Sequence, residues 1–206
     1  MSQLRLRVAP TKSALLGLRK QVKFLQDGHA LLERKRELLT RLVYEHIGEY
    51  QQLRSEAQQA LKEAYHWLGI AQLRMGNRAI RQATLGAASS LDLQVLPRRA
   101  LGVQYPSVKA EVLPPQPMGL LGTDPSFDEA RRAFAEASVH LARLAEVEMT
   151  LYRLISEQRK AQKRVNALKY NIIPAYQGAI HRIRDALEEE ERGALFQIKR
   201  LRESSG

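Results

Sequence analysis

The chain has 206 residues, a formal net charge of +11 and no cysteine. Without cysteine there are no disulfides, no thiolate metal ligands and no cysteine nucleophile. Hydrophobic residues make up 44%, too many for a chain disordered throughout, while aromatics make up 6%, lean for a globular core and ordinary for long paired helices. No apolar run approaches the roughly 18 residues that span a bilayer. The N-terminal stretch MSQLRLRVAP is basic without an apolar segment, so no signal peptide is expected.

Pro10-Thr11 offers a helix start, with the proline at the first helical position or just ahead of a threonine cap. From there an apolar or small residue recurs at alternating three- and four-residue steps. Leu18, Val22, Leu25, Leu32, Leu39 and Val43 carry this seam, which runs on through Ala57 and Ala64 to Ala71. His29, Arg36 and His46 fall on the seam without breaking its register. Gly76-Asn77 is the first credible stop. A helix over residues 11–76 would be about 100 Å long at 1.5 Å per residue. A first helical arm is therefore assigned to residues 1–83.

Residues 84–125 differ in composition. Six prolines and four glycines punctuate them, among them Pro97, Pro106, Pro115, Pro117, Gly119 and Gly122. LDLQVL (91–96) and SVKAEVL (107–113) alternate apolar and polar residues, which predicts a short β-hairpin around a long turn. An irregular loop is the alternative.

A second helical arm over residues 126–206 begins at Asp124-Pro125-Ser126. Leu141, Leu144, Val165, Leu168, Ile172 and Ile183 belong to its seam, which continues to Ala194, Ile198 and Leu201. The steps slip near 155–161 and again near 172–179, where Pro174 should kink the helix. Two arms of similar length, each with one apolar stripe, should fold back antiparallel. The expected fold is all-α dominated: a long two-helix coiled coil with a small mid-chain hairpin insert. That fold-back puts His29 within about a heptad of Pro174.

Candidate chemistry is sparse. The chain lacks a phosphate-binding glycine loop, a dinucleotide fingerprint, a zinc-protease motif and a nucleophile elbow. No two of the five histidines share metal-ligand spacing on one face. The run of four glutamates at 188–191 diverges by about 100° per residue around a helix, so it reads as a solvated stretch. Arg36 reads as a snorkelling side chain. No catalytic residue, metal or cofactor is expected. Gly17, Gly28, Gly48, Gly69, Gly178 and Gly193 each cost a helix about 1 kcal/mol against alanine. Either the two arms pack tightly there, or an outside protein comes close.

The positive charge is spread along both arms. Residues 1–41, Arg5 and Arg7 included, hold ten basic and three acidic side chains, a net +7. Nucleic acid, a membrane surface and an acidic or carbonyl-rich protein surface are all compatible with such charge. Aromatics for base stacking are few, and the apolar stripe is too narrow for a helix lying on a membrane. A protein-facing role remains.

VAPTKSALLGLRKQVKFLQDGHALLERKRELL (8–39) resembles the first helix of the D subunit of the V/A-type rotary ATPases, most specifically at Gly28-His29, Leu31-Leu32 and Lys35-Arg36. Residues 163–202 resemble that family's C-terminal helix, with RVNAL and the Ile173-Pro174 pair as the core, and ALGVQYPSV (100–108) sits where the family has a short hairpin. The resemblance implies a non-catalytic rotor shaft, peripheral to the membrane on the cytoplasmic side. Its open end would enter the hexamer of catalytic A and B subunits. Its other end would meet the F subunit and the connector to the membrane ring, and rotation would couple ATP turnover to proton or sodium movement. The charge excess at the open end assigns hexamer contacts to Lys12, Arg19, Lys20, Lys23, Lys199 and Arg200. Apolar surface beyond a two-helix seam assigns F-subunit contacts to Tyr50, Leu53, Tyr65, Leu151 and Tyr152. The competing readings are a non-rotary coiled-coil scaffold and, further off, a basic nucleic-acid-binding coiled coil.

Overall fold

The computed structural model describes residues 8–114, 116 and 123–204. Arg5, Arg7, Pro115, Pro117, Gly119 and Gly122, which entered the charge and Pro/Gly readings, lie outside the described residues. The elements in order are α1 (Lys12–Leu85), β1 (Leu91–Ala100), β2 (Val103–Val112), α2 (Pro125–Ala167), a π-helical turn (Leu168–Ile172) and α3 (Ile173–Ser204). Two compact units divide them. One combines α1 up to Leu38 with the residues from Gln158 onward, and the other runs from Leu39 to Glu157.

In the first unit α1 and α3 run antiparallel. Thr11 caps α1: its Oγ1 accepts the Ala14 amide at 3.2 Å and its carbonyl accepts the Leu15 amide at 3.0 Å. Lys12 meets Glu191 at 2.8 Å, Leu18 packs with Ala179 and Ile183, and Arg36 Nη1 donates to Gln162 at 3.3 Å. His29 falls between the last two contacts, level with the π-helical turn and a few residues from Pro174. Leu18, Val22, Val165 and Ile183 are buried, and Leu25, Leu32, Leu168 and Ile172 are half-buried.

The disturbance expected at Pro174 takes the form of that π-helical turn. The Ile173 amide donates to the Leu168 carbonyl, five residues back, just before the proline that has no amide to donate. The extra residue rotates the following stripe by about 100°, which is why the seam steps slip between Ile172 and Ala179. The seam does not continue to Ala194, Ile198 and Leu201 as expected. Residues 189–203 are all exposed: α1 begins at Lys12, which meets Glu191, and does not reach alongside α3 beyond that pair.

In the second unit α1 pairs with α2, again antiparallel. Glu56 lies 3.8 Å from His140, Tyr65 stacks edge-on against Phe134 at 5.4 Å, and Arg74 reaches Asp124 at 3.2 Å. Ala57, Ala64 and Ala71 recur every seven residues and are buried, as are Ala130 and Ala137 in α2. Small side chains on both helices let their backbones approach closely. Leu39 and Leu154 are sealed, while Val43 and Leu144 are half-buried. Leu141 is not a seam residue: it is 40% exposed. The three-four spacing through Ala137, Leu144, Val147, Leu151 and Leu154 puts His140 there instead, one residue and about 100° away.

α1 is broken at Gly76, where the sequence places its first stop, and a second helical stretch resumes beyond the kink up to Leu85. Gly76 itself takes φ 78° and ψ 155°. The second stretch puts Ile80 beside Ala71 and Phe127. Asp124 caps α2 with Pro125 at the first helical position: its carboxylate accepts the Ser126 amide at 2.9 Å and the Ser126 hydroxyl.

The insert is a hairpin, longer and tighter than the alternation over 91–96 and 107–113 predicts. Ten residues per strand pair in register from Leu91↔Val112 to Ala100↔Val103. The turn is only Leu101-Gly102, with φ of 51° and 77°, the two positive values that a tight two-residue turn requires. The Leu113 amide donates to the Ser90 carbonyl at 2.9 Å, so pairs alternate from there and Pro97↔Pro106 falls where the ladder needs no amide.

Candidate partner-binding surfaces

The described residues enclose no deep site. In the second unit an open groove of about 650 Å³ lies between the hairpin and α2, floored by Leu93, Val95, Pro106, Val108 and Met149. A second open groove of about 680 Å³ follows α1 past Tyr65, Gly69, Leu73 and Gly76. No three histidine, acidic or cysteine side chains among the described residues could hold a metal ion, and no helix among them is long and apolar enough to cross a membrane. Two seam histidines carry buried ring nitrogens without a hydrogen-bond partner, Nε2 of His29 and Nδ1 of His140. Glu56 lies 3.8 Å from that Nδ1 of His140, and Glu33 lies 3.8 Å from the other ring nitrogen of His29, Nδ1, both beyond hydrogen-bond reach. His46 does bond, to Glu49 at 2.8 Å.

The six basic residues assigned to the hexamer all lie in the first unit and all are exposed. Lys12 is held by Glu191, whose hydrogen bond and charge raise its pKa above the ordinary lysine value. Lys199 and Arg200 sit on the stretch of α3 that α1 does not reach. That stretch also exposes Leu195, Phe196, Ile198 and Leu201, at 57–68%. Periodicity gave no warning of these, since a stripe looks the same whether or not its partner helix reaches it.

Tyr65 and Tyr152, assigned to the F subunit, are exposed at 62% and 71%, while Tyr50 and Leu53 are half-buried. Leu151 is only 8% exposed. It fills the seam of α2, so its side chain is not offered to a partner. Tyr44 and Leu73, at 72% and 89% exposure, are apolar surface that seam counting missed. The glycines are not explained by tight arm-to-arm packing. A Cβ built on Gly17, Gly28, Gly48, Gly69 or Gly193 would meet nothing within 4 Å, and on Gly178 only the end of Arg182 at 3.7 Å.

Each unit pairs two antiparallel helices, the second also carrying a β-hairpin, which makes this an all-α-dominated class of protein whose assets are surfaces along helices. The sequence model for the ATP synthase D subunit matches residues 14–203. The V-type ATP synthase D subunit of Thermotoga neapolitana is 35% identical over 197 residues, 95% of this chain and 97% of that one. The A-type ATP synthase D subunit of Methanosphaera stadtmanae is 33% identical over 201 residues, 96% of this chain and 94% of its own length. That of Methanosarcina mazei is 31% identical over 199 residues and 95% of each chain. The chain belongs to the ATP synthase D-subunit family, and it is one component of a V/A-type complex.

Proposed function

We propose that this chain is the central rotor shaft of its ATP synthase, transmitting rotation between a hexamer of A and B subunits and the ion-translocating ring in the membrane. The observation that carries the reading is the first unit. It brings the start of α1 against the end of α3 at Lys12 and Glu191, and beyond that pair α3 continues with exposed Leu195, Phe196, Ile198 and Leu201. A helix that outruns its partner helix in this way is suited to insertion into another protein.

Exposed cations beside this stretch suit a turning contact. Surface ion pairs are worth only about 0–1 kcal/mol each, so they exchange readily between successive positions. Lys12, Arg19, Lys20, Lys23, Lys199 and Arg200 are proposed to face the hexamer. Tyr50, Leu53, Tyr65 and Tyr152 are proposed to face the F subunit, with the connector to the membrane ring near the insert. The chain itself hydrolyses nothing, works peripheral to the membrane on the cytoplasmic side, and drives either protons or sodium.

Reconstitution with A, B and F subunits tests this. The chain should enter the complex and couple ATP hydrolysis to rotation of a bead fixed to the hairpin. Replacing all six cations with glutamine should weaken coupling; full coupling in that variant would remove them from the interface. Hydrolysis without rotation of the bead would refute the shaft itself.

A further inference from the structure

The two edges of the β-hairpin are not equivalent. In an antiparallel pair, residues outside the hydrogen-bonded pairs point both amide and carbonyl away from the partner strand. Counting from the bonded 90/113 pair, these residues are Leu91, Leu93, Val95, Pro97 and Arg99 in β1, and Val108 among others in β2. On the β2 side α2 takes up one of the outward amides: Val108 N–H donates to Glu146 Oε2 at 3.0 Å. On the β1 side the Leu91 carbonyl is engaged, by the Ser89 hydroxyl at 3.0 Å. The outward amides of Leu91, Leu93 and Val95 have no partner among the described residues.

The side chains along this edge match the backbone. Leu93 and Val95 are 47% and 58% exposed and border the groove against Met149 of α2. Pro97 has no amide, so an added strand could take an unbroken run of donors from Leu91 to Val95 and would meet a gap at Pro97 before the Arg99 amide. Charge gives that strand a direction. Arg98 and Arg99, next to the turn, are exposed and have no carboxylate partner among the described residues, while Asp92 lies opposite Glu111 at the far end.

We propose that the free edge of β1 receives an extended strand from a neighbouring protein subunit, apolar on its groove side and carrying a carboxylate at the end beside Leu101-Gly102. Main-chain bonds to Leu91, Leu93 and Val95 supply register, and Arg98 and Arg99 select the acidic end. That the neighbour is an ATP synthase component rests on the function proposed above.

Amide exchange tests the proposal, comparing the isolated full chain with the same chain in the reconstituted complex. Assembly is scored first by size, so failure to assemble counts against the ATP synthase reading. In that event a synthetic peptide of alternating valine and glutamate replaces the complex as the probe of the edge. Protection of the Leu91, Leu93 and Val95 amides by several-fold on assembly, or by the peptide, supports an added strand. Unchanged exchange there in an assembled complex overturns it, and so does concentration-dependent protection in the isolated chain, which would mean pairing between two copies. Val95→Pro removes an outward amide and spares the inner ladder, while Val95→Thr keeps the amide. Loss of protection at Leu91 and Leu93 with V95P but not V95T is expected. Equal loss with both would assign the contact to the side chain and refute strand addition. Arg98→Glu with Arg99→Glu should release the same protection; its persistence would remove the charge selection.

Discussion

Gly76 and Gly69 lie seven residues apart on α1, and replacing each with alanine should move stability in opposite directions. At Gly76 the backbone holds φ 78° and ψ 155°, a region that residues with a Cβ avoid. A Cβ added there would touch nothing within 4 Å, so no contact offsets the conformational cost of about 1–3 kcal/mol. At Gly69 the backbone is helical and the added Cβ again meets nothing within 4 Å. Alanine there should stabilise by about 0.4–1 kcal/mol, by restricting the unfolded chain. The two variants should therefore differ by roughly 1.5–4 kcal/mol in free energy of unfolding. Urea unfolding followed by helical circular dichroism measures this, given an unchanged denaturant slope. A Gly76→Ala variant as stable as the parent would refute the reasoning, because α1 would then straighten through residue 76 at no cost. In that case Ile80 would also leave Phe127, and exchange at residues 77–85 would change while stability did not.

Leu154→Ala should cost about 2–5 kcal/mol, since that side chain is sealed, whereas Leu141→Ala on the exposed side should stay within about 0.5 kcal/mol; similar losses for both in thermal unfolding would contradict the assigned seam. Glu146→Ala should free the Val108 amide and cost about 1–3 kcal/mol, seen as faster exchange across β2 with the helices unaffected. Asp124 has its carboxyl pKa lowered from 3.8, chiefly by the Ser126 hydroxyl and amide and then by Arg74. A depressed folded pKa gives stability that is present above the unfolded value and lost as pH falls through the folded one. Stability should accordingly decline at and below 3.8, and Asp124→Asn should flatten that acid limb while keeping the cap; an unchanged limb would refute the assignment. Lys12 is the opposite case. Its pKa is raised, so its contribution is present below 10.5 and lost as pH rises through the higher folded value, and Lys12→Ala should alter only the alkaline limb of unfolding curves.

Local chemistry made much of the fold legible. The three-four spacing of Leu18, Val22 and Leu25, the Thr11 cap, the Asp124-Pro125-Ser126 start and the alternation in LDLQVL all act within a few residues of themselves, so two long helical arms and a hairpin between them could be expected from letters alone. The division of the second arm into α2, a π-helical turn and α3 was legible only as a slip near Pro174. That slip was legible because a residue without an amide must disturb any helix. Candidate surfaces were less legible. Exposed cations are visible by type, but burial is not, and Leu151 and Tyr152 differ by one position and by 8% against 71% exposure.

Only the tertiary structure decided which residue of a stripe faces its partner and where the partner runs out. His140 displaces Leu141 because the second helix fixes a rotation that periodicity leaves free by one position. Leu195, Phe196, Ile198 and Leu201 stay exposed because α1 begins at Lys12, a fact about a helix at the other end of the chain. The edges of the hairpin differ because α2 brings Glu146 to one of them. Helical and strand periods are properties of a single segment, whereas coverage belongs to a pair of segments, and no segment specifies by itself what lies across from it.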